Sequence, residues 1–293
     1  MISFFLTNIF LSCSSNPLAL GLKEEAGARN ILHWFSSPDL KNWTHEGPIA
    51  WGVTSLGLHQ QDEQLAITCI QEVRPPSWWE QQNPKVYGYL FDGESFTPTS
   101  WAIDDADTRA FIDPQYFEEQ MWYISPTGYT GDPALAPNIP IRSEGPGVER
   151  YAGSRLADPS PLRFQDTLYV FASHNAGIIQ LQGDPLAPAH PTPERTRHFN
   201  GVTVPFATII EEEVWLLAQK QFDNRRLPVY SKSPNLKKWT HWKPLAPIPL
   251  HIEACSSPVL GENPKGGWVM FCIEEKQRQT PGHIPGPGPG HHP

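Results

Sequence analysis

Apolar residues along this chain come in short runs closed by turn-forming residues. No stretch carries them at helical spacing between caps. Gln64 to Ile70 and Val86 to Phe91 each read as a single strand. A longer pattern recurs. Phe111 to Pro126, FIDPQYFEEQMWYISP, passes from an Asp-Pro step through a short apolar run and an acidic turn to an aromatic strand ending in Ser-Pro. Leu156 to Ser173, LADPSPLRFQDTLYVFAS, has the same layout. Thr203 to Gln219, TVPFATIIEEEVWLLAQ, and Ser256 to Glu274, SSPVLGENPKGGWVMFCIE, have it without the Asp. Their prolines, Pro114, Pro159, Pro205 and Pro258, stand 45, 46 and 53 residues apart. Strand-built repeats of that length predict the blades of a β-propeller.

A second repeat agrees with the first. Ser37 to Ala50, SPDLKNWTHEGPIA, returns as Ser233 to Ala246, SPNLKKWTHWKPLA, 196 residues on, or four periods of 49. Each copy predicts a turn after a third blade strand. Asp39 or Asn235 bonds its own backbone there, and Trp43 or Trp239 packs between blades. Blades are expected around Trp43, over Val53 to Ile103, from Asp113, from Asp158, and from Val204 through Trp239. Residues 254–275 supply two strands more. The economical reading gives them to the Trp43 blade as its inner strands, so that strands from both chain ends close an all-β, five-bladed propeller with no free edge. The alternative makes MISFFLTNIFL a strand of the first blade, and residues 254–275 a sixth blade or an added hairpin.

The domain division follows. Residues 1–13 are either a signal segment of lipoprotein type or a first strand. Residues 14–278 form one propeller domain, and 279–293 a flexible tail rich in Pro, Gly and His. Tyr129 to Gly153 and Gln182 to Asn200 read as long loops. The 32 Pro and 22 Gly fit a turn-rich all-β chain. A net charge of −9 with no basic stripe disfavours nucleic acid as a partner. Met1 to Leu11 is too short for a transmembrane helix. The small residues around Cys13 look like a lipidation site, although a basic n-region is absent. The expected location is therefore the cell envelope or the secreted space, with the cytoplasm as alternative. Cys13, Cys69, Cys255 and Cys272 form no CxxC pair, which disfavours a zinc or redox motif. Buried free thiols are the first reading. A Cys255–Cys272 bridge across the last hairpin is the second.

The Asp-Pro step opening an inner strand, the aromatic second strand and the S-P-D-L-x-x-W turn together resemble the five-bladed propeller glycosidases. These are glycoside hydrolase family 43 and its relatives, including the invertase-like family 32. The likeness covers roughly residues 30–275. It implies a central pocket lined by the first strand of each blade, and three carboxylates: a base or nucleophile from the first blade, a tuning Asp from the third and an acid from the fourth. Glycosidic cleavage needs one carboxylic acid for the leaving oxygen and one carboxylate to activate water or attack carbon. Phe111-Ile112-Asp113-Pro114 matches the third-blade motif. Asp158 stands where the family has Glu in Glu-Gly-Pro. Glu144-Gly145-Pro146 spells that motif literally but reads as loop. The first-blade carboxylate is missing: the position falls on Asn16 if the N-terminal segment supplies the strand, or on Ser257 if the C-terminal segment does. Glu253 is the nearest acid.

The candidate catalytic set is therefore Asp113, Asp158 and Glu253. Arg109, His59, His174, Trp78 and Trp79 are candidates for holding substrate, and His251 lies near the same end. No metal or cofactor is expected, and a saccharide is the expected ligand. Whether the protein is a glycosidase, or a binding propeller that lost its base, stays open at this level, as does its oligomeric state.

Overall fold

The computed structural model describes residues 30–61, 63–71, 85–98, 112–118, 120–124, 141–144, 156–174, 177–182, 194–223, 225–252 and 254–275. Its strands, in chain order, are β1 (Asn30–Ser37), β2 (Thr44–Trp51), β3 (Val53–Gln61), β4 (Gln64–Gln71), β5 (Lys85–Phe91), β6 (Phe96–Pro98), β7 (Ile112–Phe117), β8 (Gln120–Ile124), β9 (Ile141–Glu144), β10 (Leu156–Phe164), β11 (Thr167–His174), β12 (Gly177–Gln182), β13 (Glu194–Asn200), β14 (Thr203–Ile210), β15 (Glu213–Phe222), β16 (Arg225–Ser233), β17 (Lys243–Pro244), β18 (Ser256–Glu262) and β19 (Trp268–Glu275). The chain is all-β with a propeller arrangement. Among the described residues, four sheets have four strands, and β7-β8-β9 has three.

Three of the four-stranded sheets follow chain order. The fourth runs β18-β19-β1-β2, so the last hairpin lies inside the strands that begin the described chain. Residues 254–275 are therefore neither an added hairpin nor the start of another unit. The segment preceding Asn30, with MISFFLTNIFL, Cys13 and Asn16, lies outside the described residues.

Burial explains the sequence pattern. The second strand of a blade is covered on both faces, so β15 is buried without interruption from Val214 to Ala218 and reads as one apolar run. The outermost strand β2 alternates exposed and half-buried positions over Thr44–Pro48. Two outer strands fall in stretches read as loops from the sequence. β9 lies within Tyr129 to Gly153 and β13 within Gln182 to Asn200. Edge strands need little apolar content, and ERTRHFN has almost none.

The inner hairpins turn tightly. Gln165 and Asp166, and likewise Glu211 and Glu212, all have positive φ, the signature of two-residue turns of type I′.

The cysteines depart from the first expectation. Cys255 and Cys272 form a disulfide with Cα atoms 5.4 Å apart, while Cys69 is free and buried. Among the described residues, no helix is long and apolar enough to cross a membrane.

Candidate functional site: the axial cavity

The five inner strands β3, β7, β10, β14 and β18 touch one another in that cyclic order, and β18 returns to β3. Side chains lash neighbours together. Gln115 Nε2 donates to the Leu56 carbonyl across β7 and β3 (3.0 Å), and Ser160 Oγ accepts the Ala207 N–H across β10 and β14 (2.8 Å).

Each inner strand is interrupted at the same level. Pairing with the second strand slips between Val53 and Ser55, Ile112 and Gln115, Ala157 and Ser160, Thr203 and Phe206, and Ser256 and Val259. These are β-bulges, which re-aim a side chain out of the ladder. At three of them the bulged residue has left-handed backbone: Asp158 at φ 50°, Val204 at 55° and Ser257 at 49°. Each precedes the repeat's proline. The proline has no N–H to offer the ladder, and so tolerates the break. Val204 donates its own N–H to Ser173 Oγ at 2.8 Å.

The bulges open an axial cavity. It is lined by Ser55 and Leu56 from β3, Gln115 from β7, Asp158 from β10, Val204, Pro205 and Phe206 from β14, and Ser257, Pro258 and Val259 from β18. About 10 Å³ of it is open to the centre of a water-sized sphere, room for about one water. Among these lining residues Asp158 is the one carboxylate. It can accept hydrogen bonds from hydroxyl groups at the cavity mouth, and Ser257 can donate or accept.

The other residues singled out in the sequence are placed unequally. Asp113 occupies the bulge of β7, one inner strand from Asp158, and its side chain lies outside the described residues. Ser257, not Asn16, takes the inner-strand position of the closing sheet, because β18 is that sheet's inner strand. His59 sits on β3 away from the residues that line the cavity. Burial pushes its imidazole down to about 4. His174 ends β11, with its side chain outside the described residues, and Glu144 ends strand β9 rather than lying in a loop. Arg109, Trp78, Trp79 and Glu253 lie outside the described residues. Gln115 and Ser160, two positions after the aspartates, were not singled out. The bulge breaks the alternation counted from Asp113 and Asp158, so the sequence pattern alone did not mark these two as buried polar residues.

No protein-family model matches the sequence, and no curated protein does. Solved structures of glycoside hydrolases are similar in fold. A thermostable family-43 glycoside hydrolase superposes with a TM-score of 0.49 and 11% identity, covering 76% of this chain and 88% of that one. An exo-β-1,3-galactanase from Phanerochaete chrysosporium, solved with β-1,3-galactotriose, gives 0.48 and 13%. The match covers 82% of this chain and 64% of the galactanase, less than two thirds of its length. The catalytic domain of the GH62 α-L-arabinofuranosidase of Coprinopsis cinerea gives 0.46 and 12%, with 76% and 90% covered.

Proposed function

We propose that the protein is a five-bladed, glycosidase-like propeller that binds a saccharide at its axial cavity without cleaving it. In this reading β7–β9 is the remaining blade of the ring. The observation that carries the proposal is the residue set at the five bulges. Glycosidic cleavage in the family pattern needs a carboxylate on the first blade, and Ser257 stands there. A serine hydroxyl does not serve as base in place of a carboxylate. Asp158 remains to accept sugar hydroxyls, with Asp113 on the neighbouring strand. The cavity has room for about one water, which favours recognition of a sugar edge at the mouth over engulfment of a ring.

The presence of Asp158 in the cavity also supports a second reading. In it, hydrolysis would use Asp158 as acid, Asp113 as the tuning group and Glu253 as base. One experiment separates the two. Binding of an oligosaccharide panel is followed calorimetrically for the wild type, Asp158→Ala and Asp113→Asn, while reducing ends are counted after long incubation. The expected result is binding weakened about tenfold or more by Asp158→Ala, as for loss of a charged hydrogen-bond acceptor, with no release of reducing ends. Robust hydrolysis by the wild type, abolished by Asp158→Ala, would establish the second reading instead.

The buried Cys255–Cys272 disulfide supports an oxidising compartment, in keeping with an envelope or secreted location. Lipidation at Cys13 belongs to the same proposal. Mass spectrometry of the mature N-terminus tests it.

A further inference from the structure

β19 and β1 are far apart in the chain, yet they pair along their whole length, from Asn30 opposite Glu275 to Ser37 opposite Trp268. This seam closes the sheet that joins the two ends of the described chain. Three titratable side chains run across it. Glu274 on β19 and His33 on β1 are both buried, with carboxylate Oε2 3.0 Å from ring Nε2. His33 Nδ1 lies 3.0 Å from Nε2 of His45 on β2. Phe35 covers the His45 ring at 4.7 Å, and the ring of exposed His251 lies 6.1 Å from it on the open side.

The hydrogen count is constrained. A carboxylate only accepts, so His33 Nε2 carries a hydrogen toward Glu274. One hydrogen then serves the contact between the two rings. Either His45 Nε2–H donates to neutral His33, or charged His33 donates to His45. When both rings are protonated, an N–H faces an N–H across 3.0 Å, and the bond becomes a repulsion.

We propose that Glu274, His33 and His45 form an acid-released latch that holds β2 to β1 at this seam and lets it go when both rings are protonated. The surrounding charges bear on the same event. His33 faces His45 from β1 and Glu274 faces it from β19. Glu46, on β2 itself, accepts a hydrogen bond from Ser36 Oγ. His251 faces His45 from the loop before β18. Arg225 of β16 fixes that loop by donating to the carbonyls of Ile248, Pro249 and Ile252, and Arg226 is paired with Glu275 at 2.7 Å. With both rings charged, His33 and His45 therefore face each other between Glu274 and Glu46, with His251 beside them. Burial, then His33 and His251, hold His45 below the ordinary imidazole value of 6.5, against the opposing pull of Glu46 and Glu274. A lowered folded value means that the latch's contribution is complete above 6.5 and is lost as pH falls from there through the folded value. Among the described residues β2 is the outermost strand of its sheet and pairs only with β1, so it can open without the ring unfolding.

Amide hydrogen exchange of the full-length chain, corrected for the intrinsic effect of pH, tests the latch between about pH 7.5 and about pH 4.5. Exchange over Thr44–Trp51 rises about tenfold or more in acid, the effect of one pKa unit of coupling, while Glu213–Phe222 stays protected. In His45→Gln the side-chain amide still donates to His33 Nδ1 but cannot be charged, and the rise disappears. A wild type with no rise, a rise retained in His45→Gln, or joint opening of both segments overturns the latch. Ring ¹⁵N signals of the wild type give a reading that needs no variant. His33 and His45 titrate as one coupled pair, and independent single titrations overturn the proposal.

Discussion

Leu40 and Leu236 hold the same left-handed backbone, φ 61° and 60°, in turns 196 residues apart. Each gives its carbonyl to the indole N–H of the tryptophan three residues on. The residue before each leucine makes the turn. Asp39 accepts the N–H groups of Lys41 and Asn42, and Asn235 those of Lys237 and Lys238, all at 2.8–3.0 Å. Those backbone bonds hold the Asp39 carboxyl below its usual range. The indole so placed is blade-to-blade packing: Trp239 meets Phe171 and Phe199 edge-on at 5.9 and 5.3 Å.

Trp239→Ala should therefore cost about 3 kcal/mol, the low end for a large aromatic because the ring is partly buried. Asn235→Ala should cost about 1 kcal/mol. Urea unfolding with an unchanged slope measures both.

The turn at Glu211-Glu212 is a second test. Both residues are exposed and both have positive φ, 50° and 65°, a conformation that Asn and Gly adopt more readily. Glu211→Asn combined with Glu212→Gly should raise stability by about 1 kcal/mol. Destabilisation would show that the side chains contribute more than the strain costs.

The disulfide encloses a 17-residue separation in the sheet that closes the ring. Replacing Cys255 and Cys272 together by Ser should cost about 3 kcal/mol. Burial pushes the Cys69 thiol up to about 12, so it should resist alkylation in the native protein and react only on unfolding. Mass spectrometry of alkylated protein with and without urea checks this.

His59 sets an acid dependence of its own. Its folded value of about 4 lies below the ordinary 6.5, so unfolded chains bind the extra proton more readily. The stability it contributes is complete above 6.5 and is lost as pH falls from there to about 4, a loss of up to about 3 kcal/mol. In His59→Leu the unfolding free energy should fall less steeply over that window than in the wild type. Equal slopes would place the titration elsewhere.

Much of the architecture can be read in the residues. The spacing of Pro114, Pro159, Pro205 and Pro258 marks the inner strands, and the Ser-Pro-(Asp/Asn)-Leu turns mark the outer edge of two blades. The short distance from Asn16-Pro17 to Trp43 points to a last hairpin that completes the first sheet. Such features repeat because each blade solves the same local packing problem. The outer strands β9 and β13 escaped, since an exposed edge needs no apolar alternation.

By itself, then, the sequence determined the repeat and the scarcity of carboxylates among its inner strands. These are consequences of local backbone chemistry and hydrophobic period. Tertiary structure alone decided which side chains turn inward at the bulges, that Cys255 and Cys272 are bonded, and that Glu274 meets His33 across 241 residues. Those depend on the register in which distant strands pair, and register is settled only when the ring closes and both faces of each blade are buried.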